Sequence, residues 1–124
     1  MIDRVLRITG AAAASLLIAL AALTGCRSYH VQISVENHTG AAIQLLEVDY
    51  PSASFGADSL ASDGNINYSI QVRGTGPVKV QYTLAGVAQK QISGPSLSEG
   101  DEGQLKIVLL PGDKAEFAPQ FSHR

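Results

Sequence analysis

Three stretches of this chain alternate apolar and polar residues one by one, and that alternation excludes most folds. Tyr29, Val31, Ile33 and Val35 interleave with His30, Gln32, Ser34 and Glu36. Ile66, Tyr68, Ile70 and Val72 interleave with Asn65, Asn67, Ser69, Gln71 and Arg73. Val78, Val80, Tyr82 and Leu84 do the same with Lys79, Gln81 and Thr83. A two-residue period sends successive side chains to opposite faces of a strand, whereas a helix needs apolar spacings of three and four to build one stripe. Nothing after Cys26 shows the helical spacing. Each stretch therefore reads as a strand with one face on a core and one in water, as in antiparallel sheets.

Weaker segments fill in around these three. Ala42 to Tyr50 slips phase, because Ile43 has one parity and Leu46, Val48 and Tyr50 the other; a β-bulge at Gln44 to Leu46 reconciles them. Pro51 closes that segment, since proline cannot donate to a central ladder. Phe55 and Leu60 read as core plugs around a short edge strand. Ala85-Gly86 reads as a tight hairpin into a weak strand from Val87 to Ser93, and Gly94 to Gly103 as a loop. Leu105, Ile107 and Leu109 mark a last strong strand, with Val108 and Leu110 partly covered. Turn-forming runs separate the segments, among them Asn37-His38-Thr39-Gly40 and Ala61-Ser62-Asp63-Gly64. Six or seven short strands at this spacing predict an all-β fold: a small antiparallel β-sandwich, immunoglobulin-like or transthyretin-like, with a small barrel as the second arrangement. The expected domain spans 29–112, followed by a polar C-terminal tail over 113–124.

The N-terminus has another character. Arg4 and Arg7 precede an alanine-rich apolar run from Ile8 to Leu23, then Thr24, Gly25 and the only cysteine, Cys26. Basic, then apolar, then small residues at a cut point is the order of a secretory signal peptide, expected as a helical segment within residues 1–25. The apolar run has 16 residues and includes Gly10 and Ser15, short of the roughly 20 that a spanning helix needs. Leu23-Thr24-Gly25-Cys26 resembles the lipobox of bacterial lipoproteins. In that family a dedicated peptidase recognises the three residues before the cysteine, and the cysteine sulfur carries a diacylglyceryl group of palmitate type. The resemblance implies Leu23, Thr24 and Gly25 as the recognition residues and Cys26 as the lipidated first residue. It makes residues 26–28 a very short tether and anchors the protein on the exported side of the cell membrane. Two or more acyl chains hold a protein where one is marginal. Arg27 stands where an Asp would resemble an inner-membrane retention signal, so the resemblance implies the outer membrane in a cell that has two.

Removal of residues 1–25 leaves about 99 residues, enough for one domain with a single two-layer core. Seven of the nine basic residues and ten of the eleven acidic ones remain, scattered without a basic run. That distribution argues against nucleic acid as a partner. With Cys26 lipidated no cysteine is left for a disulfide, so packing must hold the domain.

Chemistry is sparse. No Gly-x-Ser-x-Gly elbow occurs, and His30, His38 and His123 fall in three unrelated settings. No zinc-ligand spacing is present, and Arg73-Gly74-Thr75-Gly76 lacks the Gly-Lys-Ser/Thr of a phosphate loop. Asp58 and Asp63 with Asn65, and Glu99, Asp101 and Glu102, read as solvated turns, with a loop calcium site as the sharper alternative. No catalytic residue, metal or cofactor is assigned. If the 65–73 and 78–84 strands pair as a hairpin, Asn67, Ser69, Gln71, Lys79, Gln81 and Thr83 share one amide-rich face suited to glycan or peptidoglycan. Tyr68 and Tyr82 alternate inward, so that face lacks an aromatic platform. The expectation is a non-enzymatic binding or structural module of the cell envelope, tethered to the membrane by its lipid, with another envelope protein or a glycan as partner. The alternative is a dedicated glycan-binding module using the polar hairpin face.

Overall fold

The computed structural model describes residues 29–122, so the signal segment and Cys26 lie outside the described residues. Among the described residues there are nine strands and no helix. One sheet, A, carries β1 (Val31–Asn37) between β4 (Asn65–Ile70) and β8 (Glu102–Leu110), with β9 (Lys114–Ser122) outside β8. The other, B, carries β2 (Ile43–Tyr50) between β3 (Ala53–Leu60) and β5 (Thr75–Leu84). The short β6 (Val87–Ala88) and β7 (Ile92–Ser98) share the far edge of β5. The two sheets pack into a small β-sandwich. Its pairing is not wholly antiparallel, because β1 runs parallel to β8 from Val31 opposite Gly103 to Asn37 opposite Leu109.

Alternation builds the core. Val31, Ile33 and Val35 of β1 and Leu105, Ile107 and Leu109 of β8 are fully buried, in one cluster with Ile43, Val48, Val78 and Val80 of sheet B. Burial of each such side chain stabilises by roughly 1.5–3 kcal/mol. Phe55 and Leu60 plug the core as expected. The phase slip in β2 is a bulge: its register against β5 shifts between Gln44 and Glu47, and Leu45 takes φ 51° and points out. Leu46 and Val48 thereby return to the core face. Gly56 of β3 lies beneath the bulge, where a Cβ would run into the Leu46 carbonyl oxygen.

Asn37 is fully buried and ties three chain segments together. Its Nδ2 donates to the carbonyls of Ala41 at 2.8 Å and of Leu60 and Ala61 at 3.1 Å. Its Oδ1 accepts from Thr39 N at 3.1 Å and Thr39 Oγ1 at 2.7 Å. The side chain thus joins the end of β1, the turn into β2 and the turn between β3 and β4.

Three expectations are corrected. Residues 114–122 are not a tail but strand β9, paired to β8 over its whole length, which extends the domain past residue 112. Phe117 and Phe121 pack against the core, and Pro119 is tolerated because β9 is a sheet edge. The stretch read as a loop from Gly94 contains most of β7; Gly94 sits beneath the Phe117 ring, so a glycine there permits close approach of the two sheets rather than a turn. Finally, β4 and β5 do not pair. β4 joins β1 in sheet A, and β5 joins β2 in sheet B.

Candidate functional site

The missing hairpin divides the polar residues singled out above. Asn67 and Ser69 lie on the outer face of sheet A. Lys79, Gln81 and Thr83 lie along β5 in sheet B, and Gln71 follows the end of β4. The six residues therefore form no common surface.

Sheet A builds another polar surface. Register places Gln32 beside Ser69 on one side and Gln104 on the other, with Gln120 beyond Gln104. The next outward row runs Asn67, Ser34, Lys106, Ala118. These positions share a face because inward neighbours Ile33, Leu105 and Ile70 are buried. Apart from Ser69, the two rows line a shallow groove of about 400 Å³. Amides and hydroxyls there offer both donors and acceptors. One cation is present: Lys106 Nζ lies 3.3 Å from Glu36 Oε2, and His38 Nε2 lies 4.0 Å from the same oxygen. These pairs are open to water and contribute little to stability. Gln32 and Ser34 were legible in the sequence as outward positions. Their neighbours on the face, Gln104 and Gln120, follow from strand order, which alternation does not encode.

Tyr68 also departs from expectation. It alternates inward, opposite Ile33 in register, but stands half-exposed at the open side of the sandwich instead of being buried, its ring stacked on Phe55 at 4.5 Å and 7°. Tyr82 is buried as expected, and burial together with the Asp113 carboxylate pushes its phenol above the ordinary value of 10.0.

The other candidates are dispersed. His30 precedes β1, His38 follows it, and Asp49 belongs to sheet B. Asp101 is buried, and its Oδ2 accepts from Ser98 N at 2.8 Å, an arrangement that holds the β7–β8 turn. Asp58 falls within β3, Asp63 in the turn after it and Asn65 at the start of β4. Among the described residues no group of three or more His, Cys, Asp or Glu side chains could hold a metal ion, and no helix is long and apolar enough to cross a membrane. On the outer face of sheet B, Glu47 and Asp49 crowd each other. A hydrogen bond with Asp49 and the Asp49 charge raise the Glu47 carboxyl above its ordinary range. Comparison with protein families, curated proteins and solved structures returns no match.

Proposed function

We propose that the protein is a lipid-anchored, non-enzymatic binding module of the bacterial cell envelope, and that the outer face of sheet A holds its ligand, a glycan of the peptidoglycan class. The anchor rests on Leu23-Thr24-Gly25-Cys26. The ligand class rests on one observation: strands β4, β1, β8 and β9 together present an amide-rich groove carrying one lysine. Such a surface hydrogen-bonds to hydroxyl and acetamido groups from both directions and adds little apolar contact. The scaffold is immunoglobulin-like in the architectural sense only, two packed sheets joined by crossovers. Strand β1 begins only a few residues after Cys26, so on this reading the groove stands close to the membrane surface, that of the outer membrane in a two-membrane cell.

Two measurements test the parts separately. Palmitate labelling of the full chain is expected to vanish in Cys26→Ser, and undiminished labelling of that variant defeats the anchor. Affinity for insoluble peptidoglycan, measured by pelleting, is expected to fall about 30-fold in a Gln32→Ala/Gln104→Ala double variant, each lost pair of side-chain hydrogen bonds contributing about 1 kcal/mol. Equal retention of the variant and the unmodified chain defeats the groove.

A further inference from the structure

Leu45 breaks two local rules at once. It occupies the left-handed region at φ 51°, and it is the most exposed large apolar side chain among the described residues, at 66%. The bulge requires the backbone conformation, which glycine or asparagine adopts at lower cost. Solvent exposure favours a polar side chain. Leucine satisfies neither demand, so the fold alone does not account for it. Local strain of this kind is maintained where a surface is used.

Other features gather at the same place. β3 is an edge of sheet B, and among the described residues no strand pairs with its outer side. Gly56, in the middle of β3, has no side chain to stand between β3 and the Leu46 carbonyl of the bulge, and the outer surface there is a groove lined by Leu45, Glu47, Ser54, Gly56 and Asp58. The carboxylates of Glu47 and Asp58 line it, Asp49 stands beside Glu47, and Lys79 opposite Asp49 is the cation nearest in register. On the inward side of the same edge, Tyr68 lies half-exposed over Phe55.

We propose that β3 is a docking edge for an extended basic polypeptide segment, which pairs with it as an additional strand. A strand has two faces with period two. The inward side chains of the added strand cover Tyr68 and must be apolar. The outward ones lie beside Asp58 and reach across Gly56 to Glu47 and Leu45, and must be long and cationic. Lysine and arginine meet both demands of that outer surface, since their stems pack on Leu45 while their charged ends reach the carboxylates. Crowding of Glu47 against Asp49 favours a cation there, because it relieves the repulsion between them. The required partner is thus an alternating basic and apolar segment, a mode of recognition in which main-chain pairing supplies affinity and alternate side chains supply specificity. This surface is distinct from the groove on sheet A, and the inference does not depend on the ligand assigned there.

The test uses the full chain in a non-ionic detergent and two labelled octapeptides, one alternating lysine and valine, the other glutamate and valine. Fluorescence anisotropy is expected to show binding of the basic peptide, weakened by added salt, and none of the acidic one. A Glu47→Lys/Asp58→Lys variant is expected to lose about tenfold for the basic peptide, the scale of two exposed charge pairs, and to gain binding of the acidic one. Leu45→Gly is expected to bind the basic peptide more weakly while its melting temperature holds or rises, because glycine relieves the backbone strain. That pairing of outcomes separates a docking residue from a merely structural one. Absence of basic-peptide binding, equal binding of both peptides, or unchanged preference in the double lysine variant would each overturn the proposal.

Discussion

Asn37 shows how one side chain can hold an all-β chain in register. Its Nδ2 donates to three carbonyls, and its Oδ1 accepts from two donors of Thr39. Removing it leaves those groups without this partner, and an unsatisfied buried polar group costs about 1–3 kcal/mol. Asn37→Ala is expected to destabilise by about 3 kcal/mol in urea unfolding. Asn37→Asp is expected to do at least as badly, because a carboxylate keeps the Thr39 contacts but cannot donate to the carbonyls of Ala41, Leu60 and Ala61. Tyr82 gives a pH-dependent counterpart. Burial and Asp113 raise its ionisation above 10.0 in the folded chain. The folded state therefore holds the phenolic proton more tightly than the unfolded state does. Its contribution to stability is complete below about pH 10 and is lost as pH rises through the higher folded value. Unfolding followed between pH 9 and 12 is expected to show a steeper alkaline decline for the unmodified chain than for Tyr82→Phe.

Among the elements, β7 and β9 close the side of the sandwich opposite β3 and β4. Gly94 of β7 lies beneath Phe117 of β9, and a Cβ at Gly94 would sit 2.5 Å from the ring. Gly94→Ala is expected to destabilise by about 1–3 kcal/mol, the usual cost of overpacking. Phe117→Leu should restore part of that loss in the double variant, a coupling readable from a double-mutant cycle. These two strands are also the ones hardest to recognise in sequence. β7 carries Gly94 and Pro95 inside it, and β9 carries Pro119 among polar residues, so local composition points to loop and tail. By contrast β1, β5 and β8 announce themselves, because central strands bury alternate residues completely. The β2 bulge is legible for the same reason: the parity change between Ile43 and Leu46 has no other remedy. Of the candidate polar face, Asn67 and Ser69 keep their outward orientation. Their neighbours changed, because pairing between distant strands depends on how the sheets close and leaves no mark in a nine-residue window.

At the scale of the whole molecule, connectivity matters more than any one contact. Val31 pairs with Gly103 and Glu102 with Ser122, so the chain enters and leaves the sandwich at the same end. The opposite end carries the turns at His38, Ala61–Gly64, Ala85-Gly86 and Pro111–Asp113. The open side between β3 and β4 and the groove on sheet A thus run along the length of the domain rather than capping its tip. Parallel pairing of β1 with β8 also imposes an order in time. A chain emerging N-terminus first delivers β1 before any other strand, yet the neighbour that locks β1 from one side arrives only after Gly103. The first of the described strands can pair with β4 early, yet its second neighbour is among the last to form. Until then β1 lacks a partner some seventy residues away, and its unpaired side is open to the same edge of another copy for that interval.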